Sequence, residues 1–348
     1  MAARCYLPRS SQIPQGPRSR PALWDGIFFF VMTPELIDIQ RSGMKALSQA
    51  MKTTLCAAIV GSGPVAKEYG TWQSLLDSIF YSISLNQTPE QKVASAQGER
   101  TLPEWADFLF GLSADIYTDS LHRIFSRGEV IPKVYNSIIR AKFRSITTTN
   151  FDDQLMEAVE MCGLTDHLGQ MVWPALLPEM KGMIVHLHGR IKVRADVGRI
   201  VLRKSQFEKA YEPEEILPDI LRSAFRTYHM CFIGYSFSEE EIQNIFKSAK
   251  ESFRRNFDDP GSQRSAFAFI QERDWMSSVS ASRIIDDVTR MYERFSSFGI
   301  TPIPFAPADD QFSGLRKLID ELPVEHLITQ KRTPPWNPQN EKPLGPSI

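Results

Sequence analysis

The sequence predicts an α/β fold, a Rossmann-like parallel sheet with helices on both faces and an inserted helical module. Three observations lead there. Short apolar runs alternate with longer stretches of helical periodicity. Several of these runs break into a glycine-bearing or polar loop, and a helical pattern resumes directly after it. Between the first strand and the second lies a long, mostly helical stretch. In open sheets of this class ligands bind outside the carboxyl ends of the strands, so the loops are where a site is expected.

The chain has 348 residues, enough for one large domain with an inserted module. Lys plus Arg is 40 and Asp plus Glu is 41, so no global basic field argues for direct nucleic-acid binding. None of the four cysteines, Cys5, Cys56, Cys162 and Cys231, stands in a C-x-x-C pair, which argues against a zinc ribbon and a disulfide framework. The apolar run 27–32 is too short to span a bilayer and lacks the layout of a signal peptide. A cytoplasmic protein without membrane contact is the expectation.

Taken in order, residues 1–33 carry Pro8, Pro14, Pro17 and Pro21 among scattered Arg and Ser, the composition of a disordered extension, and Met32 is a candidate natural start. The ordered domain is expected over 34–325, opening with a helix at Pro34. Residues 55–60 read as a buried strand that runs into Gly61, Ser62 and Gly63, where backbone N–H groups can approach a phosphate or ribose. With Ala66 the spacing fits a loose dinucleotide fingerprint. No acidic residue ends a second strand about 20 residues on, as a dehydrogenase requires; Asp77 falls inside a predicted helix. The loop therefore reads as nucleotide-binding without hydride transfer. The helical insertion is expected over about 75–140. Its stripes of Trp105, Phe108, Leu109 and Leu112, and of Leu121, Ile124 and Phe125, read as core rather than as a cofactor box.

Residues 143–146 predict a second strand, running out through threonines to Asn150, Phe151, Asp152 and Asp153, with a helix at once behind it. Asn150 or Asp152 is expected to cap that helix. An ordinary strand–turn–helix accounts for this stretch taken alone. Residues 183–190 form a buried strand carrying His186 and His188 and ending at Gly189. A metal pair lacks further ligands, and His186 reads as a hydrogen-bonded core residue. His188 sits at the strand end. A short strand is expected at 199–202, a helix at 217–225, and a strand at 230–233 that breaks into Gly234, Tyr235, Ser236, Phe237 and Ser238. Ser238 is expected to cap the acidic helix behind it, with Glu241 as its capping-box partner. Strands at 266–270 and 300–305 and a helix at 312–322 close the domain, and 326–348 is a proline-rich tail predicted to be disordered.

Four loops, GSG at 61–63, TTNFD at 148–152, HLHG at 186–189 and GYSFSEEEI at 234–242, stand in the order and at about the spacing of the sirtuin superfamily. The chain resembles most the sirtuin-like NAD hydrolases of prokaryotic antiviral defence, over about residues 50–325. The resemblance implies that Gly61, Ser62 and Gly63 contact the phosphates or adjoining ribose, and that Asn150 and Asp152 line the nicotinamide and ribose pocket. It further implies that His188 is the catalytic histidine and that Gly234 and Ser236 hold the adenine-side ribose and phosphates. Val65 stands near where the family carries a small hydroxyl residue. Thr149 replaces the glutamine of deacylating sirtuins, which with the missing cysteine pairs counts against protein deacylation.

The implied reaction is hydrolysis of NAD to ADP-ribose and nicotinamide, with NAD as substrate, no further cofactor and no zinc. Nicotinamide leaves as a neutral ring from a cationic one, so the paired carboxylates of a glycosidase are not required. The site must stabilise an oxocarbenium-like centre and deliver water, for which an Asn, a carboxylate and a histidine of near-neutral pKa suffice. Such an activity is toxic unless controlled. The resemblance implies a homo-oligomer, or a sensor partner such as an Argonaute-like protein or a ring ATPase. Two alternatives are a non-catalytic module that binds NAD or ADP-ribose, and an ADP-ribosyl transferase or deacylase.

Overall fold

Side chains alternate across a strand, and that alternation decides which layer each residue serves. In β1 (Cys56–Val60), Cys56, Ala58 and Val60 enter one apolar cluster while Ala57 and Ile59 enter another, and all five are buried. A strand buried on both sides needs helices on both. The remaining strands are β2 (Ile146–Thr148), β3 (Gly169–Val172), β4 (Met183–His186), β5 (His229–Ile233), β6 (Ala266–Gln271) and β7 (Ile300–Phe305). In the computed structural model they form one sheet of order β3-β4-β2-β1-β5-β6-β7, every pairing parallel. The structure describes residues 34–53, 55–85, 100–126, 130–176, 180–237, 239–256, 264–271, 292–306 and 312–322. The extension 1–33, the tail 326–348 and the capping role of Ser238 lie outside these residues.

The helices used below are α1 (Pro34–Lys52), α2 (Ala66–Tyr69), α3 (Trp72–Ser84), α4 (Leu102–Leu112), α5 (Ala114–Phe125) and α6 (Lys133–Arg140). They continue with α7 (Gln154–Met161), α8 (Lys204–Ala210), α9 (Ile216–Thr227), α10 (Glu240–Asn256) and α11 (Ser313–Asp320). One face of the sheet is covered by α1, α6, α7 and α11 through Leu47, Tyr135, Ile138, Leu155 and Leu315. The other is covered by α8, α9 and α10 through Phe207, Leu221, Phe225 and Phe246. Helices α3, α4 and α5 are the inserted module and build a third core around Leu76, Ile79, Trp105, Leu109 and Leu121, closed by Ile191, Val197, Ile200 and Leu202. Of the stripe read as core on α4, Trp105 and Leu109 are buried and Phe108 packs half-buried against them, while Leu112, at the helix end, is exposed. Within the range 75–140, α6 packs with the sheet rather than with the module.

Four elements differ from the expectation, the first being β4, which ends at His186 and leaves His188 in the turn beyond it. The second strand begins at Ile146 instead of 143, because Arg144 N already bonds to Cys56 O and Gly182 N to Arg144 O in the approach to the sheet. Residues 199–202 are not a strand. A 3-10 stretch (Arg194–Arg199) leads into them, and Val201 and Leu202 are apolar because they pack beneath neighbouring elements. The edge strand β3 has too little apolar character to be seen in the sequence. Pro302 and Pro304 sit in β7, an edge strand, where a missing N–H is tolerated.

The register positions the site. Val172 pairs with His186, His186 with Thr148, Thr148 with Val60, and Val60 with Ile233. These residues form one row across the sheet, so the loops that follow them leave at the same level. The order also reverses at β1, with β2, β4 and β3 on one side and β5, β6 and β7 on the other. Such a reversal opens a crevice at the carboxyl edge.

Candidate active site

The loops after β1 and β5 meet without room for a side chain between them. A Cβ on Gly61 would stand 2.6 Å from Gly234 O, and one on Gly63 would stand 2.8 Å from Gly234 Cα. Gly234 has φ +59, and a Cβ there would lie 2.3 Å from Pro64 Cδ. These three glycines therefore serve the contact between the two loops, whatever ligand lies beyond them.

The loop after β2 is fixed by its own polar groups. Thr148 Oγ1 donates to Val60 O at 2.9 Å and accepts from Asn150 N at 3.0 Å. Asn150 Nδ2 donates to Gly61 O at 3.0 Å and to Tyr135 OH at 3.1 Å. Both amide hydrogens are thereby engaged, so the group Asn150 retains for a ligand is its carbonyl oxygen. Asp152, not Asn150, serves the helix start: its Oδ1 accepts from Gln154 N at 3.1 Å.

Asp153 ties this loop to the next. Burial alone would raise its pKa, but hydrogen bonds from Lys192, Gln170 and Arg190 outweigh that and hold it below its usual value. Gln170 Nε2 reaches Asp153 Oδ1 at 2.8 Å and lies 3.0 Å from His186 Nε2, while His186 Nδ1 lies 3.4 Å from Asn150 O. His186 is the hydrogen-bonded core residue the sequence suggested, with burial pushing its pKa down to about 4. Gln170, on the unforeseen strand β3, is what connects it to Asp153.

A cavity of about 90 Å³ opens at this edge. Ser62, Thr149, Asn150, Asp152 and His188 line it from the sheet loops, and Trp72, Leu75 and Phe125 line it from the inserted module, with Val65, Tyr69, Phe151, Val201, Leu202 and Glu239 among the others. No Lys or Arg is among the described residues lining it. Of the residues singled out in the sequence, Ser62, Asn150, Asp152 and His188 come together here. Gly61, Gly63 and Gly234 lie in the loop contact outside the lining, and Ser236 is exposed.

The electrostatics follow from burial. Asp152 is 3% exposed, and Oδ2 has no partner among the described residues. Desolvation raises its pKa to about 7. His188 is equally buried, its Nε2 lies 2.8 Å from Tyr211 OH, and its ring packs edge-on against Phe207. Desolvation pushes its pKa down to about 3. The expected near-neutral histidine is therefore a neutral hydrogen-bonding group, and the carboxyl of Asp152 is the group poised near pH 7. Tyr211, Tyr135, Trp72 and Glu239 were not foreseen. Glu239 stands within the GYSFSEEEI motif but reads as a helix-start acid; Tyr211 gives no local signal at all.

Residues 144–301 match the family described as the SIR2-like domain. That span holds the loops after β2, β4 and β5 and supports a sirtuin-like family. No curated protein matches the chain. A solved structure described as giving the "Structural Basis for the Mechanism and Regulation of Sir2 Enzymes" is 11% identical, covering 73% of this chain and 98% of its own, with a TM-score of 0.36. Among the described residues no helix is long and apolar enough to cross a membrane, and no cluster of three His, Cys, Asp or Glu could hold a metal ion.

Proposed function

We propose that the protein is an NAD glycohydrolase that cleaves the bond between nicotinamide and ribose, releasing nicotinamide and ADP-ribose. The observation that carries this reading is a cavity at the carboxyl edge of the sheet that gathers Asn150, Asp152 and His188, with aromatic and carboxyl groups and no Lys or Arg among the described residues lining it. Such a lining suits the cationic nicotinamide–ribose end of the dinucleotide better than its pyrophosphate.

Atoms balance simply. The C1′–N bond breaks with its electron pair passing to the ring nitrogen, so the ring leaves neutral and needs no general acid. Positive charge moves to the sugar, where the ionised carboxyl of Asp152 favours it. Water adds its oxygen to C1′ and passes a proton to the carboxylate of Asp152, the group poised near pH 7, which then releases it to solvent. Asn150, through its carbonyl oxygen, orients that water or a ribose hydroxyl, and neutral His188 accepts a hydrogen bond beside it with Tyr211 fixing its ring.

Depletion of NAD fits a role in antiviral defence, a role suggested by the motif resemblance. Because free-running turnover would harm the host cell, control by self-assembly or by a sensor protein is part of this proposal. A non-catalytic NAD or ADP-ribose sensor is the second reading, favoured by a histidine whose Nε2 is already engaged by Tyr211. Nicotinamide release by purified protein separates the two. The hydrolase reading expects turnover that falls about a hundred- to ten-thousandfold in His188→Ala. Tight NAD binding that persists in His188→Ala, with no nicotinamide released under any condition and no toxicity on expression, would establish the sensor instead.

A further inference from the structure

We propose that Glu239 is a substrate-contacting, specificity-determining residue of this site, one that supplies the counter-charge for a cationic ring. The inference rests on the hydrolase reading for the identity of its substrate, but its own evidence is separate. Glu239 lines the same cavity as Asp152 and His188, and its Oε2 is buried without a partner among the described residues. Asp152 Oδ2, on a side chain 3% exposed, is in the same condition. Two residues that line one cavity thus each carry a buried carboxyl oxygen without a partner among the described residues, and no Lys or Arg is among the described residues of that lining; the arrangement is costly, and a ligand that brings positive charge relieves it.

A backbone outlier stands near Glu239. Phe237, two residues earlier, has φ +52, a left-handed conformation that is strained for a bulky side chain. The strain is held by an aromatic cluster: Phe237 meets half-buried Phe298 at 4.9 Å and buried Phe232 and Phe246 at 5.1 Å and 5.5 Å, while its carbonyl accepts from Gln243 Nε2 at 2.8 Å. The chain thus turns sharply at Phe237 before α10 starts at Glu240. Burial raises the Glu239 pKa to about 8, as expected for a carboxyl still awaiting its counter-ion.

The two carboxyls then divide the labour. In the substrate the positive charge is on the ring, and in the transition state it has moved to the sugar. Glu239 beside the ring strengthens substrate binding, whereas Asp152 beside the sugar favours the transition state.

The test is calorimetric binding of 1-methylnicotinamide, a cation, and of nicotinamide, its neutral counterpart, to the full chain and to Glu239→Gln, with NAD turnover measured in parallel. The wild type is expected to prefer the cation by about tenfold or more, and Glu239→Gln to lose that preference and raise KM for NAD about tenfold with kcat little changed. Glu239→Asp, which keeps the charge, should restore part of the preference and guards against a fold defect. Wild-type turnover combined with an unchanged cation preference and KM in Glu239→Gln overturns the assignment and leaves the hydrolase standing. A preference lost in Glu239→Gln without any nicotinamide release supports the assignment and sinks the hydrolase.

Discussion

The cavity has two walls built on different principles. The wall from the sheet loops is polar and fixed by buried bonds: Thr148 to Val60 O, Asn150 to Gly61 O and Tyr135, and Arg190 to Asp153 at 2.9 Å. The wall from the inserted module is apolar, presenting Trp72, Leu75 and Phe125 from helices with a core of their own. The module meets the segment after β4 through buried Ile191, Val197, Ile200 and Leu202 and, around them, through exposed polar contacts: Arg194 meets Asp115 and Asp119, Lys204 meets Glu104, and Ser205 bonds to Asp107. Exposed pairs of this kind hold weakly and yield to salt. The groups proposed to act on the reacting bond thus stand in the hydrogen-bonded wall, while the apolar surface that shapes the cavity belongs to the module, whose core takes in the segment after β4.

Variants in the two walls should separate accordingly. The largest effect is expected from His188→Ala, the hundred- to ten-thousandfold loss of nicotinamide release already described, with retention of the folded state by thermal melting. Next, Gly234→Ala should destabilise the chain by at least about 1–3 kcal/mol, since it combines a positive φ with a Cβ placed against Pro64. A melting temperature equal to wild type would show that the loops after β1 and β5 are not locked together as described.

Asp152→Asn gives a smaller effect with a distinctive pH dependence. A carboxyl whose pKa rises from 3.8 to about 7 on folding binds more protons in the native state across that window, so its contribution falls as pH rises from about 4 to 7. The asparagine variant, which can still accept from Gln154 N, should therefore gain stability relative to wild type over that window, on the order of 1–3 kcal/mol by neutral pH. His188 and His186 act in the opposite sense in both proteins, losing native stability as pH falls from 6.5 toward about 4, and so cancel in the difference. A flat difference between pH 4 and 8 would mean that the carboxyl is not desolvated. Smallest should be Arg194→Ala, which is expected to leave kcat unchanged and raise KM by a factor of about two at most, an effect that vanishes in high salt. A large fall in kcat would show the two walls to be one mechanical unit.

Much of the fold was legible because burial leaves a compositional trace. Runs such as 56–60 and 229–233 are apolar on both faces and stop at glycine, which marks both the strand and its loop. Strand β3 left no such trace, since Gly169 and Gln170 are half-buried at a sheet edge. The apolar 199–202 segment gave a false strand because burial under a helical module and burial in a sheet look alike over four residues. Within the candidate site, Asn150, Asp152 and His188 were visible from motif position. Tyr135 and Tyr211 were not, because Tyr135 reaches Asn150 from α6 and Tyr211 reaches His188 from the turn after α8, contacts that no local pattern marks.

By itself, then, the sequence determined the parallel α/β class, the covered faces and the loops at the carboxyl edge, because each depends on local periodicity and punctuation. Tertiary structure alone decided which of those loops share a cavity and what charge their side chains carry there. Protonation depends on how much water and how many partners surround a group, and those neighbours come from strands and helices far apart in the chain. That is why the glycines meet where two loops touch, burial pushes the pKa of the histidine down, and two residues whose carboxyl oxygens lack partners among the described residues line one cavity.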